Sequence, residues 1–334
     1  MDYYIGIDPA SASFTAAISH KGQIAGWPVT FDNSAEGLGE MLGWATAQGA
    51  RPSTTCLCIE NTGVYSELLL YLIHEAGWES ALLDPGKLHP RKQRPKTDEI
   101  DSLKIVDYAW RYRDTLIPWR PKEAIAEQIQ VLLTTREQLV RQRTALKGAR
   151  STLKRKYIQT PTANEVVEDL VVIIAGKIDQ LEQEIGRLIK SSPTLAQTVA
   201  LLTSAPGVGF LLAAHLLAIT DGFTRPFAYR SLARHLGIAP LPFESGASVR
   251  RAPKSRGKGP RMLRKLLHLA ARSVVTHKPE FRAYYARKVA QGKPKKVVLN
   301  NVANRLLRIV CSMLKNRQPY IEGYVSVNPR LLSS

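Results

Sequence analysis

The chain begins with a short apolar strand that ends in an acidic residue, and this strand limits which folds its first hundred residues can adopt. The predicted strands here are 3–8, 14–19 and 24–31, with a turn at Lys21-Gly22. Helices and strands then alternate. The predicted elements are a helix over 35–48 capped by Asn33 and ended by Gly49, a strand over 55–60, a helix over 64–75 and a strand over 78–83. The pattern indicates an α/β domain.

Three strands in a meander, followed by alternating helices and strands, suit a ribonuclease-H-like sheet, although other α/β folds share this order. A basic, proline-bearing loop over 85–95 comes next. A helix capped by Thr97 is predicted to run from there towards Tyr112. Pro118 and Pro121 then close the domain, so we place the first domain at residues 1–120.

The remainder of the chain has helical periodicity. Residues 121–192 predict an antiparallel hairpin of two long helices, or coiled coil, with its turn at Thr160-Pro161-Thr162. Its second helix carries apolar residues at a/d spacing: Ile174, Ile178, Leu181, Ile185 and Leu188. This stripe can pack on its own domain or be covered by a second chain, and the pattern favours neither. Residues 193–330 are predicted as a mainly helical domain, interrupted by a polar, basic stretch over 244–260 and ending in helices over 261–276, 279–290 and 297–316.

Charge is distributed unevenly along the 334 residues, whose formal net charge is +19. Residues 1–88 hold 3 basic and 10 acidic side chains, whereas residues 89–334 hold 44 and 18. An acidic first part and a very basic remainder suit a cation site beside surfaces for a polyanion. The simpler interpretation is a solvated basic face.

The cysteines and the hydropathy indicate a cytoplasmic protein that does not enter a membrane, and the basic charge suits an association with the nucleoid. Cys56 and Cys58 are two apart in one strand, a spacing ill suited to a disulfide, and Cys311 lies far along the chain. The best apolar segment, Phe210 to Thr220, is shorter than a membrane helix, and the N-terminus lacks the features of a signal peptide.

Four carboxylates lie at the ends of predicted elements. Asp8 and Glu60 each end a strand, and Asp98 and Asp101 share one face of a helix's first turn. Four clustered carboxylates repel unless cations neutralise them, and two Mg²⁺ ions would do so while activating a phosphodiester. Each acid also has a simpler interpretation, as a surface acid or as one stabilised by the helix dipole. An actin-like ATPase or sugar kinase could begin in the same way, but the glycine-rich loops of that class are missing from the segments that should supply them.

Three sequence blocks resemble the DEDD transposases of the insertion-sequence one-hundred-and-ten family, relatives of Piv-like DNA invertases. The blocks are Ile5-Gly6-Ile7-Asp8, Glu60-Asn61-Thr62-Gly63-Val64-Tyr65 and Lys96-Thr97-Asp98-Glu99-Ile100-Asp101. The resemblance implies a ribonuclease-H-like (RuvC-like) domain in which Asp8, Glu60, Asp98 and Asp101 bind Mg²⁺, with Mn²⁺ as a substitute. We expect Lys96 to contact nucleic acid.

Pro206-Gly207-Val208-Gly209 separates two apolar helical stretches in the form of a helix-hairpin-helix. In that motif glycines let backbone N–H groups approach a phosphate, so Gly207 and Gly209 are candidate nucleic-acid contacts. The same four residues also suit a plain turn.

Ser245 precedes a glycine within a run of cations. The candidate nucleic-acid contacts around it are Arg250, Arg251, Lys254, Arg256, Lys258, Arg261 and Arg264. A serine in a polar loop is ordinarily a turn residue. However, this run resembles the family's second domain, which implies that Ser245 is the catalytic nucleophile, with Ser248 as its nearest rival. Gly257-Lys258-Gly259-Pro260 departs from the family's glycine-basic block, which leaves individual phosphate contacts there open.

The leading hypothesis is a transposase or site-specific recombinase of an insertion element, which cuts and rejoins DNA through a phosphoserine intermediate. The resemblance implies donor and target DNA, a structured guide RNA encoded by the element, and a dimer or tetramer whose active site combines acids and serine from different subunits. A metal-dependent nuclease resembling a junction resolvase, with the serine incidental, is the alternative. A non-catalytic nucleic-acid-binding protein is the third hypothesis.

Overall fold

The computed structural model of the chain describes residues 1–88, 97–223, 228–245, 249–255 and 259–323. The chain divides into two compact units, residues 1–121 and 122–334. The first unit contains the strands β1 (Tyr3–Pro9), β2 (Ser13–His20), β3 (Gln23–Ile24), β4 (Val29–Asp32), β5 (Thr55–Glu60) and β6 (Glu79–Leu83). Its helices are α1 (Ala35–Ala47), α2 (Val64–Glu75), the short α3 (Pro85–Leu88) and α4 (Asp98–Arg111), followed by a 3-10 turn over Arg113–Thr115.

The sheet of the first unit has the strand order β3-β2-β1-β5-β6, and β4 also pairs with β2. β1 runs antiparallel to β2 and parallel to β5, and β5 runs parallel to β6. This mixed sheet confirms the predicted ribonuclease-H-like arrangement. The single strand predicted over 24–31 was wrong, because Gly26 adopts a φ of +77° and Pro28 has no N–H to donate, so β3 and β4 are separate strands.

Helices cover both faces of this sheet. Ile5, Ile7, Leu57 and Ile59 pack with α1 and α2 in one core, whereas Tyr4, Cys56 and Cys58 pack with α4 in another. This division follows the alternation of side chains along β1 and β5. Cys56 and Cys58 share a face with their sulfurs 4.0 Å apart and are free thiols, as their spacing predicted.

A hairpin of two long helices and a helical core make up the second unit. The helices are α5 (Ala124–Leu153), α6 (Pro161–Ser191), α7 (Pro193–Ser204), α8 (Phe210–Ile219), α9 (Tyr229–His235), α10 (Arg261–His277), α11 (Pro279–Ala290) and α12 (Lys295–Asn316), with a 3-10 turn over Asp221–Phe223. On α6, Ile178, Ile185 and Leu188 of the predicted stripe are buried, and Ile174 and Leu181 are half-buried. The stripe therefore packs within its own chain, while Val166, Leu170, Val172 and Ile173 remain exposed.

One helix in the described ranges, α12, is long and apolar enough to cross a membrane by length and composition. Half of the most apolar segment of this helix is buried in the second unit, where Val302, Leu306 and Val310 belong to the core. A helix in a protein core can have the same length and apolar composition as a membrane-spanning helix.

A pair of antiparallel strands over 240–255 overlaps the polar stretch over 244–260 within the mainly helical unit. β7 (Pro240–Ser245) pairs antiparallel with β8 (Val249–Ser255), and Ser245 lies opposite Val249. Charged and polar residues had suggested only a loop here. The register places Ser245 at the last paired position of β7.

Candidate functional site

Asp8 and Glu60 lie side by side near the carboxyl ends of two parallel strands. Ile7 of β1 pairs with Ile59 of β5. The residue after this pair is Asp8 on β1 and Glu60 on β5. Adjacent strands are about 4.8 Å apart. Side chains at every second position of a strand lie on the same face of the sheet. Asp8 therefore shares a face with Tyr4, and Glu60 shares a face with Cys58. Because Tyr4 and Cys58 pack with α4, both carboxylates face that helix. Glu60 is buried, with 6% of its surface exposed.

The N-terminal turn of α4 lies against the same face. Thr97 caps the helix as predicted, because its side chain accepts a hydrogen bond from Ile100 N at 3.3 Å. A Cβ atom added to Gly6 would lie 2.5 Å from Ser102 O and 2.5 Å from Val106 N, so the backbones of β1 and α4 are in direct contact. Asp101 precedes Ser102 and is fully buried, whereas Asp98, one turn earlier, is exposed.

A lysine on the same helix pairs with the buried acid. Lys104 Nζ lies 2.7 Å from Asp101 Oδ1, and Asp101 has no exposed surface, while 30% of the lysine side chain is exposed. A buried carboxylate is costly unless a cation or hydrogen bonds compensate it. Sequence reasoning missed Lys104, although its i,i+3 spacing from Asp101 was a signal for an ion pair.

The donor set suits a hard divalent cation. Carboxylate oxygens are the preferred ligands of Mg²⁺, which also keeps water or phosphate oxygens in its coordination shell. Thr62 Oγ1, two residues beyond Glu60, is buried without a hydrogen-bond partner in the described part of the chain, which suits contact with such a water or phosphate. In those same described residues, no three Asp, Glu, His or Cys side chains are close enough together to hold a metal. The fold thus gathers Asp8, Glu60 and Asp101 on one face without closing them into a ligand cluster.

Asn33 connects the loop after β1 to the first turn of α2, the helix that follows β5. Its side-chain Nδ2 donates to Ala10 O at 2.8 Å and to Tyr65 O at 3.0 Å. Ala10 follows β1, and Tyr65 lies in the first turn of α2, which follows β5. The sequence had predicted Asn33 as the cap of α1, and this was wrong, because Ser34 caps α1 and its side chain accepts from Gly37 N at 3.1 Å. Both residue types favour that position, so the sequence could not separate them.

Ser245 belongs to the second unit, at the end of β7. In the backbone register, Glu244 pairs with Arg250, Phe243 with Arg251 and Leu241 with Lys254. The predicted contacts Arg250, Arg251 and Lys254 therefore lie on β8, the strand that pairs with β7. Ser248, Arg256, Lys258 and, in the first unit, Lys96 lie outside the described residues.

The two glycines between α7 and α8 differ in their surroundings. A Cβ at Gly207 would meet Val274 Cγ1 at 2.8 Å, and its φ of +75° favours glycine, so this residue serves the packing of the turn against α10. At Gly209, the cap of α8, a Cβ would meet no atom of the described residues within 4 Å, and none of their side chains caps the helix. Gly209 is therefore the glycine whose surroundings leave room for a ligand.

Arg261 and Arg264 both lie in the first turn of α10 but differ in exposure. Arg261 is exposed, whereas Arg264 is half-buried and donates from Nη1 to Gly259 O at 3.0 Å. Arg264 thus helps to hold the turn that precedes its own helix. Arg261 is the more exposed of these two arginines.

Comparison with known proteins divides the chain into two matched segments. The DEDD transposase family of IS110 matches residues 5–158, and the transposase IS116/IS110/IS902 family matches residues 199–286. The pilin gene-inverting protein of Moraxella bovis is 30% identical over 329 residues, covering 95% of this chain and 97% of that protein. This chain belongs to the IS110 transposase family.

Two further relatives of this IS110-family transposase differ in coverage. The pilin gene-inverting protein of Moraxella lacunata is 28% identical, covering 95% of this chain and 97% of its own. The transposase for insertion sequence element IS1111A of Coxiella burnetii is 23% identical and covers 73% of each chain. Among solved structures, Thermus thermophilus RuvC in complex with a Holliday junction substrate matches 36% of this chain and 100% of its own, at 14% identity and a TM-score of 0.26.

Membership confirms the resemblance inferred from the three sequence blocks. The first matched segment contains all four predicted acids, and the second contains Ser245. The IS110-family chain is therefore a transposase or DNA invertase, an enzyme that exchanges strands of DNA.

Proposed function

We propose that this transposase cuts and rejoins DNA through a covalent link to Ser245, assisted by Mg²⁺ held by Asp8, Glu60, Asp98 and Asp101. The observation that carries the proposal is the pairing of Asp8 and Glu60 at neighbouring strand ends that face α4, on which Asp101 is buried. Acids buried on one face without a catalytic role would be an unnecessary cost to folding.

The metal would offset the charge of the phosphate and of the leaving oxygen, and Mn²⁺ would substitute for Mg²⁺. Asp8 and Glu60 would supply oxygen ligands from the sheet, and Asp101 and the exposed Asp98 would supply two more from the first turn of α4. Lys104 holds Asp101 Oδ1 in place and limits repulsion among the acids.

Ser245 is proposed to act as the nucleophile. A bond forms between Ser245 Oγ and phosphorus while the bond from phosphorus to a deoxyribose oxygen breaks. The hydroxyl proton passes to a base, and the departing oxygen gains one. Attack by the sugar hydroxyl of the other DNA partner reverses these steps and releases the serine. Because each step exchanges one phosphate ester for another, strand exchange consumes no co-reactant.

DNA would be held by phosphate contacts in the second unit. The candidates are Gly207, Gly209, Arg250, Arg251, Lys254, Arg256, Lys258, Arg261 and Arg264, and Lys96 would contribute from the first unit. The open surroundings of Gly209 and the exposure of Arg261 support these two contacts most directly. The tight packing of Gly207 and the hydrogen bond of Arg264 indicate that these two position the backbone around the contacts.

The remaining partners are proposed from the composition and from exposed surface. A structured guide RNA is proposed as a second nucleic-acid partner, and the excess of Lys and Arg suits binding an RNA as well as DNA. The exposed apolar residues Val166, Leu170 and Ile173 follow each other at helical spacing on α6, which supports association into a dimer or tetramer. The enzyme would act at the nucleoid in the cytoplasm.

The test is covalent capture of DNA on a recombination substrate with Mg²⁺. Ser245→Ala should abolish the protein–DNA product, whereas Ser248→Ala should retain it. Asp8→Asn should abolish strand cleavage while DNA binding persists. A covalent product from Ser245→Ala would refute the serine mechanism, and full cleavage without covalent product in that variant would identify a metal-dependent nuclease instead.

A further inference from the structure

The turn between α5 and α6 carries three cations and a fully exposed aromatic ring. This segment, Lys154 to Ile158, is called the hairpin tip below. Lys154, Arg155 and Lys156 are all exposed, Tyr157 is fully exposed, and Ile158 is 79% exposed. The tip is an ordered turn, because Arg155 N donates to Thr152 O and Lys156 N donates to Leu153 O, each at 3.1 Å.

The hairpin tip extends well beyond the helical core of its unit. Leu133 is the last residue of α5 that belongs to that core, and α5 continues to Leu153. At 1.5 Å per residue, this extension is about 30 Å long. Side chains at its end have no core to stabilise, so the exposure of Tyr157 and Ile158 has no explanation in the packing of the unit.

Charge along the hairpin is concentrated towards the tip. Residues 138–164 contain seven Lys or Arg and no Asp or Glu. Arg141 and Arg150 have ion-pair partners in Glu137 and Glu168. Within the described residues, no ion pair involves the three cations of the tip. Cations also stabilise the C-terminal end of a helix, which explains one or two of them but not the ring beside them.

We propose that the hairpin tip is a binding site for unpaired nucleotides, in which the three cations contact phosphates and a base stacks on Tyr157. An exposed aromatic ring beside cations is the combination that binds single strands, because every base has a π face and every linkage carries a charge. A duplex would satisfy only the cations, since its bases are already stacked. The site would hold an unpaired segment of RNA or a displaced DNA strand during strand exchange.

The proposal goes beyond the serine and metal chemistry and does not depend on either. In EDTA, Asp8→Asn and Ser245→Ala should bind single strands like the unaltered chain. A failure of the catalytic mechanism would therefore leave the tip site standing, and the reverse also holds.

The test uses the full chain in EDTA and fluorescence anisotropy with labelled probes of about twelve nucleotides, a length within the range of single-strand sites. The probes are single-stranded RNA, single-stranded DNA of the same sequence, and the corresponding DNA duplex. Tyr157→Ala should weaken single-strand binding ~5-fold or more and leave duplex binding unchanged, and Tyr157→Phe should retain binding because the ring remains. A loss confined to RNA or to DNA identifies the natural strand.

The charge contribution is tested with matched triple variants. Lys154→Gln, Arg155→Gln and Lys156→Gln together should reduce the salt dependence of single-strand binding by about 2, at ~0.7 per phosphate contact. The control combines Lys177→Gln, Lys190→Gln and Lys293→Gln, which removes the same charge from exposed positions elsewhere in the unit. Equal losses in both triple variants, or Tyr157→Ala binding within twofold of the unaltered chain, would overturn the proposal. Ultraviolet cross-linking of 5-bromouridine probes should map to the peptide containing Tyr157.

Discussion

Gly6 is the position at which the packing of α4 on the sheet can be tested most directly. A Cβ there would lie 2.5 Å from Ser102 O and from Val106 N, whereas ordinary contact begins near 3.4 Å. In Gly6→Ala, the backbones of β1 and α4 must separate by about 0.9 Å. Overpacking of this kind costs ~1–3 kcal/mol, and we expect the upper end because both obstructing atoms are backbone.

Alanine also reduces the entropy of the unfolded chain, which favours the variant by ~0.5–1 kcal/mol. The net loss should therefore be about 2 kcal/mol. Urea unfolding followed by tryptophan fluorescence measures it for the first unit alone, because all five tryptophans lie between Trp27 and Trp119. Cleavage with Mg²⁺ should fall as well, since the displaced helix carries Asp101.

Gly43→Ala provides the matched control. No atom lies within 4 Å of a Cβ at Gly43, and the residue is in the interior of α1. Alanine should stabilise that helix by ~1 kcal/mol without affecting cleavage. If Gly6→Ala unfolds at the same urea concentration as the unaltered chain, the direct contact between β1 and α4 is disproved.

Three further predictions concern other side chains. Lys104→Met should destabilise the first unit by ~1–3 kcal/mol in EDTA. Added Mg²⁺ should restore most of that stability, because the ion would take the place of the lysine charge beside Asp101. An equal loss of stability with and without Mg²⁺ would contradict this. Asn33→Ala should cost ~1–2 kcal/mol for its two hydrogen bonds and reduce cleavage more than DNA binding, which gel-shift and cleavage assays on one substrate would separate. Burial lowers the pKa of His215 to about 4, so the folded unit resists its protonation and loses up to ~3 kcal/mol of stability as pH falls from 6.5 to 4. His215→Leu should show a smaller loss over that range in urea unfolding followed by circular dichroism, and parallel losses in both proteins would exclude the effect.

Much of the fold could be predicted from the sequence because local signals agreed with it. Thr97 was identified as the cap of α4, and the boundaries of α2 and β5 were predicted to the residue. One error, the single strand over 24–31, overlooked the local signals of Gly26 and Pro28. The other error arose where distant contacts decided. Asn33 and Ser34 have similar capping preferences, and Asn33 instead joins the loop after β1 to the first turn of α2.

The candidate site was also only partly accessible to the sequence. The order of the acidic blocks indicated which carboxylates belong together, but nothing local indicated that Asp101 would be fully buried while Asp98 is exposed. The i,i+3 spacing of Lys104 from Asp101 was a local signal for their ion pair that sequence reasoning did not use. The burial of the Thr62 hydroxyl, which has no hydrogen-bond partner among the described residues, likewise depends on how the loop after β5 packs. Such contacts depend on tertiary packing, which a local pattern does not contain.

The sequence by itself determined the class of this protein, through the order of its acidic blocks, the serine in its basic run and the helical periodicity of its second part. Only the tertiary structure decided which residues meet. Parallel pairing of β1 and β5 places Asp8 beside Glu60, although more than fifty residues of chain separate them. The physical reason is that periodicity specifies which face of an element is apolar, whereas register and close backbone contact, as at Gly6, depend on the partner that the face finds.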